Sequence, residues 1–236
     1  MKIINKKIFS KEELPSNCKL KKLIFLRIDP EDRKEVLKHI YQELADNSWT
    51  KRFNKSIIRD SYNKRIEKTL NSLEASLKIG EDNKITRESG EYLVSELSRE
   101  VIINELNYSN IPLAELRKEQ VKSNPGFDFH SESDNKIIIF GEAKYSCRDN
   151  AYNSALSQIV DFIKNEKDLA EIADLEEFVS DEALINFEKE NKGYAAAFSS
   201  HAISSEQLIN NILKNENCLQ LYNYNELLLL AVDVND

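Results

Sequence analysis

Three charged residues near the middle of the chain have the types and the spacing that phosphodiester hydrolysis needs. Glu142 follows Asp128 by 14 residues, just after an apolar run, and Lys144 comes two residues later. Because a strand alternates its side chains, Glu142 and Lys144 are predicted to share one face. Two carboxylates suit Mg²⁺ or Mn²⁺, and a lysine beside the ion can orient or deprotonate the attacking water.

These side chains meet only if their two segments pair as a hairpin. Residues 126–131 and 136–145 fit strands, and the turn-forming residues 132–135 lie between them. The alternation also predicts that Phe127 and Phe129 point to one side. The pairing would bring the three charged groups to one end of a sheet, where backbone carbonyls and water would complete the shell of a metal ion.

A helix expected over residues 88–106 can supply a third carboxylate. Its apolar stripe consists of Leu93, Val94, Leu97 and Val101. At about 100° per residue, Glu91 borders this stripe, whereas Glu96 lies on the side predicted to face water. Gly90 would let another part of the backbone approach this helix start closely. Glu91 is therefore the candidate third acid.

The remaining pattern predicts an α/β fold with helices on both sides of a small mixed sheet. A helix is expected from about residue 151, and the acidic stretch 166–190 is also expected to be helical. Two further strands are expected at 194–198 and 227–232, with a helix between them at about 204–215. Such a sheet needs a helical layer on each face to bury its apolar side chains.

Charge divides the chain near Gly80. Residues 1–80 carry 19 basic and 11 acidic side chains, net +8, and residues 81–236 carry 14 basic and 30 acidic, net −16. We therefore expect a basic, mainly helical N-terminal region at 1–80, with one short strand at 23–28, and a separate core at 81–236.

The basic region offers candidate contacts to a nucleic acid. Lys51, Lys55 and Arg59 recur every four residues in an expected helix over 49–77, where they could follow a phosphate backbone. Arg148, just after the charged motif, is a further candidate for contact with phosphate. A solvated helix face is the alternative interpretation of the three N-terminal cations.

Composition excludes several classes of protein. With 41% hydrophobic and 31% charged residues, the chain is neither collagen-like nor wholly disordered. No apolar run approaches the roughly 18 residues of a membrane span, and the first residues lack a long apolar segment, so we expect a cytoplasmic protein without a membrane partner. The three cysteines are far apart in sequence, which argues against a disulfide framework and a structural zinc site.

The order of these motifs resembles the PD-(D/E)XK nucleases over about residues 86–200. The similarity lies in Glu91 on a helix, Asp128 after a Pro-Gly-Phe sequence, and an apolar strand that ends in Glu142-Ala-Lys144. It implies a restriction-endonuclease-like core of the order αβββαβ, whose first strand would fall within 111–121. It also implies that Asp128 and Glu142 bind a metal ion, that Lys144 is catalytic, and that Glu91 is an accessory acid near the metal or the water. We therefore expect Asp128, Glu142 and Glu91 at the metal site.

Short motifs also resemble the nuclease subunit of Hachiman-type antiphage defence systems. They are Glu88-Ser-Gly-Glu91-Tyr-Leu, Gly126-Phe-Asp128 followed by His130, and Gly141-Glu142-Ala-Lys144-Tyr145. This resemblance implies a role in bacterial defence and a helicase as partner.

The sequence thus favours a Mg²⁺-dependent deoxyribonuclease, with two alternatives. One is an inactive nuclease-like scaffold that binds DNA or protein, and the other is a restriction endonuclease that acts alone. At the level of residues, Glu142 and Lys144 could instead form an exposed ion pair on an edge strand. His130 could meet phosphate or carry a proton, or it could be a buried structural histidine.

Overall fold

A six-stranded mixed sheet forms the centre of the protein in the computed structural model, which describes residues 1–16, 18–31, 33–78, 87–117, 126–201 and 203–234. The strands are β1 (Lys2–Ile8), β2 (Lys22–Asp29), β3 (Phe129–Glu132), β4 (Ile138–Lys144), β5 (Lys192–Ser200) and β6 (Glu226–Asp233). Their order across the sheet is β1-β2-β6-β5-β4-β3. The four inner strands are parallel to one another, and an antiparallel strand pairs at each edge.

Ten α-helices are described. They are α1 (Arg33–Ala45), α2 (Ser56–Lys78), α3 (Arg87–Leu106), α4 (Ala114–Arg117), α5 (Tyr152–Lys164), α6 (Lys167–Ala170), α7 (Ile172–Leu175), α8 (Asp181–Glu188), α9 (Ser205–Leu213) and α10 (Glu216–Leu221). Two 3₁₀ turns, Lys11–Glu13 and Ser48–Arg52, complete the helical segments. In the part of the chain that the structure describes, no helix is long and apolar enough to cross a membrane.

Helices cover both faces of the sheet, as predicted. The core on one face unites the apolar sides of α1 and α3 with Ala195 and Ala197 of β5. The core on the other face unites α5, α9 and α10 with Tyr194 and Phe198 of the same strand. The alternate residues of β5 thus enter different cores, which explains why the inner parallel strands are apolar throughout.

The strands predicted after residue 125 and most predicted helices are confirmed. The segments expected at 194–198 and 227–232 lie in β5 and β6, and the helices expected at 88–106 and 204–215 correspond to α3 and α9. The acidic stretch 166–190 forms three short helices, α6 to α8.

The N-terminal region contributes strands to the same sheet as the rest of the chain. The strand predicted at 23–28 is β2, and it pairs in parallel with β6, from Lys22 opposite Glu226 to Ile28 opposite Val232. Strand β1, which the sequence did not predict, pairs with the free side of β2. The expected division between 1–80 and 81–236 therefore falls between elements that share one sheet.

Two expectations about local structure are wrong. The single basic helix expected over 49–77 is interrupted, because the 3₁₀ turn Ser48–Arg52 ends at an extended Phe53 and α2 begins only at Ser56. The rings of Trp49 and Phe53 both pack against Tyr62, with centroids 5.1 and 4.8 Å away, and this packing holds the chain in its turn.

The first core strand expected within 111–121 is absent from the described part of that interval. Residues 114–117 form α4 instead, and residues 118–121 lie outside the described residues. The described order after α3 is therefore α4, β3, β4, α5 to α8 and β5, so the α/β class is established and the αβββαβ order is not.

Candidate active site

The β3–β4 hairpin brings Asp128 to the middle of β4. The Asp128 backbone N–H donates to the Gly141 carbonyl at 2.9 Å, and its Oδ2 accepts the Ala143 N–H at 2.7 Å. Asp128 lies at a bend just before β3 begins at Phe129. Because of this bend, Phe127 and Phe129 enter different cores, so the prediction that they share one side is wrong.

Lys144 links the candidate acids. Its Nζ donates to Glu142 Oε1 at 2.5 Å and to the Ala143 carbonyl at 3.1 Å, and it lies 4.0 Å from Glu91 Oε1 on α3. Together with the bond from Ala143 to Asp128, these contacts bring all four predicted catalytic residues to the carboxyl-terminal part of β4. The predicted convergence is confirmed.

Burial decreases from Glu142 towards the surface. The side chain of Glu142 is 1% exposed, that of Lys144 is 11% exposed and that of Glu91 is 30% exposed. Strand β4 lies between β5 and β3, so it is not an edge strand. The interpretation of Glu142 and Lys144 as an exposed ion pair on a sheet edge is therefore wrong.

Burial and the nearby carboxylates shift the pKa values of Glu142 and Lys144. Burial raises the pKa of Glu142 well above its ordinary value, and the nearby charge of Asp128 raises it further, against the opposing effect of Lys144. Burial alone would lower the pKa of Lys144, but the charges of Glu142, Asp128 and Glu91 outweigh it and raise that pKa. The site as a whole therefore has an excess of negative charge.

Two glycines allow the elements around the site to pack closely. A Cβ at Gly141 would lie 2.3 Å from the ring of Phe129, its partner on β3. A Cβ at Gly90 would lie equally close, at 2.3 Å, to the ring of Tyr145. The close approach predicted at Gly90 is thus made by a side chain and not by a backbone, and it holds the start of α3, with Glu91, against the end of β4.

The residues present fit a divalent metal ion. Glu142 Oε2 is buried and receives no hydrogen bond from any residue that the structure describes, whereas its Oε1 accepts one from Lys144. An oxygen-rich pair such as Asp128 and Glu142 suits Mg²⁺ or Mn²⁺. Among the described residues, however, no group of three or more His, Cys, Asp and Glu side chains is arranged to hold a metal ion. Asp128 and Glu142 are therefore the two candidate protein ligands, and Glu91 joins the site through Lys144.

A cavity of about 400 Å³ opens beside Lys144. Its wall continues along the loop after β4 to the first turn of α5 and includes Ser146, Asp149, Asn150 and Ser154. The cavity therefore gives a small ligand or one end of a larger substrate access to the lysine.

The structure separates the predicted DNA-binding cations. Lys51 belongs to the 3₁₀ turn, Lys55 precedes α2 and Arg59 lies within α2, so they do not form one helical face. Arg59 Nη1 donates to the Phe53 carbonyl at 3.1 Å. Arg148 is exposed in the loop that borders the cavity, as are Lys51 and Lys55 in their own segments.

His130 is a buried structural residue, as one of the two interpretations predicted. Its Nδ1 lies 2.8 Å from Arg117 Nη2 and its Nε2 lies 2.7 Å from Glu171 Oε2. Sequence reasoning missed both partners. Arg117 lies near no recognised motif, and Glu171 is one of many acids in the stretch 166–190, so no local signal distinguishes either.

Glu96 does not face water, contrary to the prediction. It is fully buried, and its Oε2 accepts from Arg99 Nε at 2.8 Å. Helix α3 contacts the sheet on one side and α1 and α2 on another, so polar residues outside the apolar stripe are also covered. This arrangement supports the choice of Glu91, because Glu96 is already neutralised by Arg99.

None of the family models, curated proteins or solved structures compared with the chain matches it.

Proposed function

We propose that this protein is a Mg²⁺- or Mn²⁺-dependent nuclease that hydrolyses phosphodiester bonds in DNA. The observation that carries the proposal is the environment of Glu142. Its carboxylate is 1% exposed, lies near a second carboxylate and uses only one oxygen for hydrogen bonding within the described residues. A buried acid with a purely structural role normally has both oxygens satisfied.

A divalent cation would contact the oxygen of Glu142 that accepts no hydrogen bond from the described residues. Asp128 and Glu142 would hold the ion, and the hydrogen bond from the Ala143 N–H to Asp128 Oδ2 fixes Asp128 beside the strand that carries Glu142. When bound, the ion would polarise the scissile phosphate and lower the pKa of the attacking water.

The other residues would act on the substrate directly. The Lys144 ammonium, held by Glu142 and the Ala143 carbonyl, can donate to a phosphate oxygen or orient the water for in-line attack. Glu91, which is 30% exposed, restrains Lys144 from the side of α3. The cavity beside Lys144 would receive the nucleotide next to the scissile bond.

The distribution of charge supports a nuclease that works with a partner. Residues 81–236 carry a net charge of −16, which repels phosphate, whereas residues 1–80 carry +8. The exposed cations Lys51, Lys55 and Arg148 would contact DNA. The resemblance to the Hachiman-type nuclease subunit suggests that the partner is a helicase in an antiphage defence complex.

The direct test is cleavage of plasmid and linear DNA by the wild-type chain and by Glu142→Gln in Mg²⁺ or Mn²⁺. Loss of one metal ligand is expected to reduce cleavage by at least about 100-fold, the upper end of the effect of removing a supporting residue around a metal. Glu226→Gln is the matched control, since it also alters a buried glutamate but lies at the other end of the sheet. Equal cleavage by wild type and Glu142→Gln would contradict the proposal.

A second candidate is a nuclease-like scaffold without catalysis. It is favoured by the absence of a three-residue metal-binding group from the described residues. Calorimetry with Mn²⁺ separates the two: the nuclease binds the ion with an affinity that Asp128→Asn weakens, whereas the scaffold does not bind it at this site.

A further inference from the structure

A series of buried, hydrogen-bonded side chains contacts the residues on either side of Asp128. It runs from Arg117 on α4 through His130 on β3 to Glu171, the residue between α6 and α7. Arg117 is 1% exposed and His130 is fully buried. The second oxygen of Glu171, Oε1, accepts the backbone N–H of Phe127 at 2.9 Å. Glu171 therefore holds Phe127, directly before Asp128, and His130, two positions after it.

The donors and acceptors in this series can be arranged in only one way with His130 neutral. The guanidinium of Arg117 can only donate, so Nδ1 of His130 is an acceptor. The proton of the imidazole must then be on Nε2, and Glu171 Oε2 accepts it. Both oxygens of Glu171 are thus required as acceptors, one for His130 and one for Phe127.

Arg117 anchors this series to the surrounding backbone. Its Nε donates to the Pro112 carbonyl at 2.8 Å and its Nη1 to the Asp174 carbonyl at 3.1 Å. The backbone of Asp128 is tied to the same region, because its carbonyl accepts the Ala114 N–H of α4 at 3.0 Å. Helices α4 and α7 and the start of β3 are therefore joined at the bend that presents Asp128.

We propose that Glu171 is a positioning residue for the candidate site, an inference that rests on the proposed function. By fixing Phe127 and His130, it fixes the bend between them and so the direction of the Asp128 carboxylate. Supporting residues of this kind change metal affinity by about 10- to 100-fold when they are altered, although they do not touch the ion.

The test substitution is Glu171→Gln, which keeps the volume of the side chain but leaves one acceptor for two donors. We expect its Mn²⁺ affinity, measured by calorimetry, to be about 10- to 100-fold weaker than that of the wild-type chain. In cleavage assays the apparent KM for Mn²⁺ rises by the same factor, whereas kcat at saturating Mn²⁺ changes little. Glu226→Gln, the matched buried carboxylate, leaves the Mn²⁺ affinity unchanged.

A pair of substitutions at His130 provides a second measurement if Glu171→Gln does not fold. His130→Gln keeps an acceptor for Arg117 and a donor for Glu171, whereas His130→Leu keeps neither. We expect His130→Gln to bind Mn²⁺ more tightly than His130→Leu.

The outcomes separate this inference from the proposed function. If the wild-type chain binds no Mn²⁺, or binds it equally well after Asp128→Asn, the proposed function fails and the positioning role fails with it. If binding depends on Asp128 but Glu171→Gln binds as tightly as wild type, only the positioning role is overturned. Equal affinities of His130→Gln and His130→Leu overturn it in the same way.

Discussion

Glu226 and Glu142 are each 1% exposed, but they lie towards opposite ends of the parallel strands. Glu226 accepts hydrogen bonds from Tyr108 at 2.7 Å, Ser133 at 3.0 Å and Asn135 at 2.9 Å, so both of its oxygens are used. Within the described part of the chain, Glu142 accepts a hydrogen bond from Lys144 alone, and a second carboxylate lies nearby. The comparison teaches that burial alone does not distinguish a candidate site acid from a structural one. The distinguishing property is an oxygen that the surrounding residues leave unsatisfied.

The largest expected difference between Glu226 and Glu142 is in the free energy of unfolding that each substitution costs. Glu226→Gln should lower the free energy of unfolding by about 3 kcal/mol, because charge-assisted hydrogen bonds are weakened and an amide group must face existing donors. Glu142→Gln should cost less than about 1 kcal/mol without metal, since it removes a buried charge from a site with excess negative charge. Urea denaturation of the two variants without divalent ions measures both values. Equal losses would remove the distinction between the two ends of the sheet.

The dependence of stability on pH should also have opposite signs at the two ends. Glu132, near Glu226, accepts from Lys136 at 2.7 Å and from the Ser180 N–H at 2.6 Å. Burial raises the pKa of Glu132, but these hydrogen bonds outweigh it and hold that pKa below the ordinary value of 4.5. Its contribution is therefore present above pH 4.5 and is lost as the pH falls through the lowered pKa.

Glu132→Gln should accordingly cost about 1.5 kcal/mol at pH 7 and progressively less below pH 4.5. Glu142 has a raised pKa, so the metal-free protein should lose stability as the pH rises from 4.5 through that pKa. Glu142→Gln should abolish this loss. Urea denaturation between pH 3 and pH 8 tests both signs, and parallel profiles for the two variants would be evidence against the comparison.

The smallest expected effects concern DNA binding by exposed cations. Arg148→Ala should weaken DNA binding severalfold and reduce the slope of log affinity against log salt by about 1, as expected for one phosphate contact. Arg59→Ala is the control, because its guanidinium already donates to the Phe53 carbonyl. Fluorescence anisotropy at several salt concentrations, in Ca²⁺ to prevent cleavage, measures both slopes. Identical slopes for Arg148→Ala and the wild-type chain would exclude Arg148 from the interface.

The grouping of the candidate site residues could be predicted because its signals are local. The turn between β3 and β4 places Asp128 beside β4, and the period of two in a strand places Glu142 next to Lys144, although the bend at Asp128 breaks that period in its own segment. The helical period likewise selected Glu91. Each of these inferences uses residues that are close in sequence, and regular secondary structure fixes their relative positions.

Other features depend on contacts that no local period encodes. The burial of Glu96 follows from a second layer of helices over α3, whereas a helical wheel detects only the apolar stripe. The break before Ser56 follows from the packing of Trp49 and Phe53 against Tyr62. Strand β1, Lys-Ile-Ile-Asn-Lys-Lys-Ile, does not alternate polar and apolar residues regularly, and only pairing with β2 makes it a strand. The link from Glu171 to His130 spans 41 residues.

The position of β6 between β2 and β5 sets the order in which the sheet can be completed during folding. Residues Lys22 and Glu226 are paired although they lie at opposite parts of the sequence. Until β6, the last of the described strands, has been synthesised, β2 and β5 have no strand between them, and their facing edges remain open to other chains. Such long-range pairing is slow to form, so a nascent chain depends on protection of these edges until translation has passed β6.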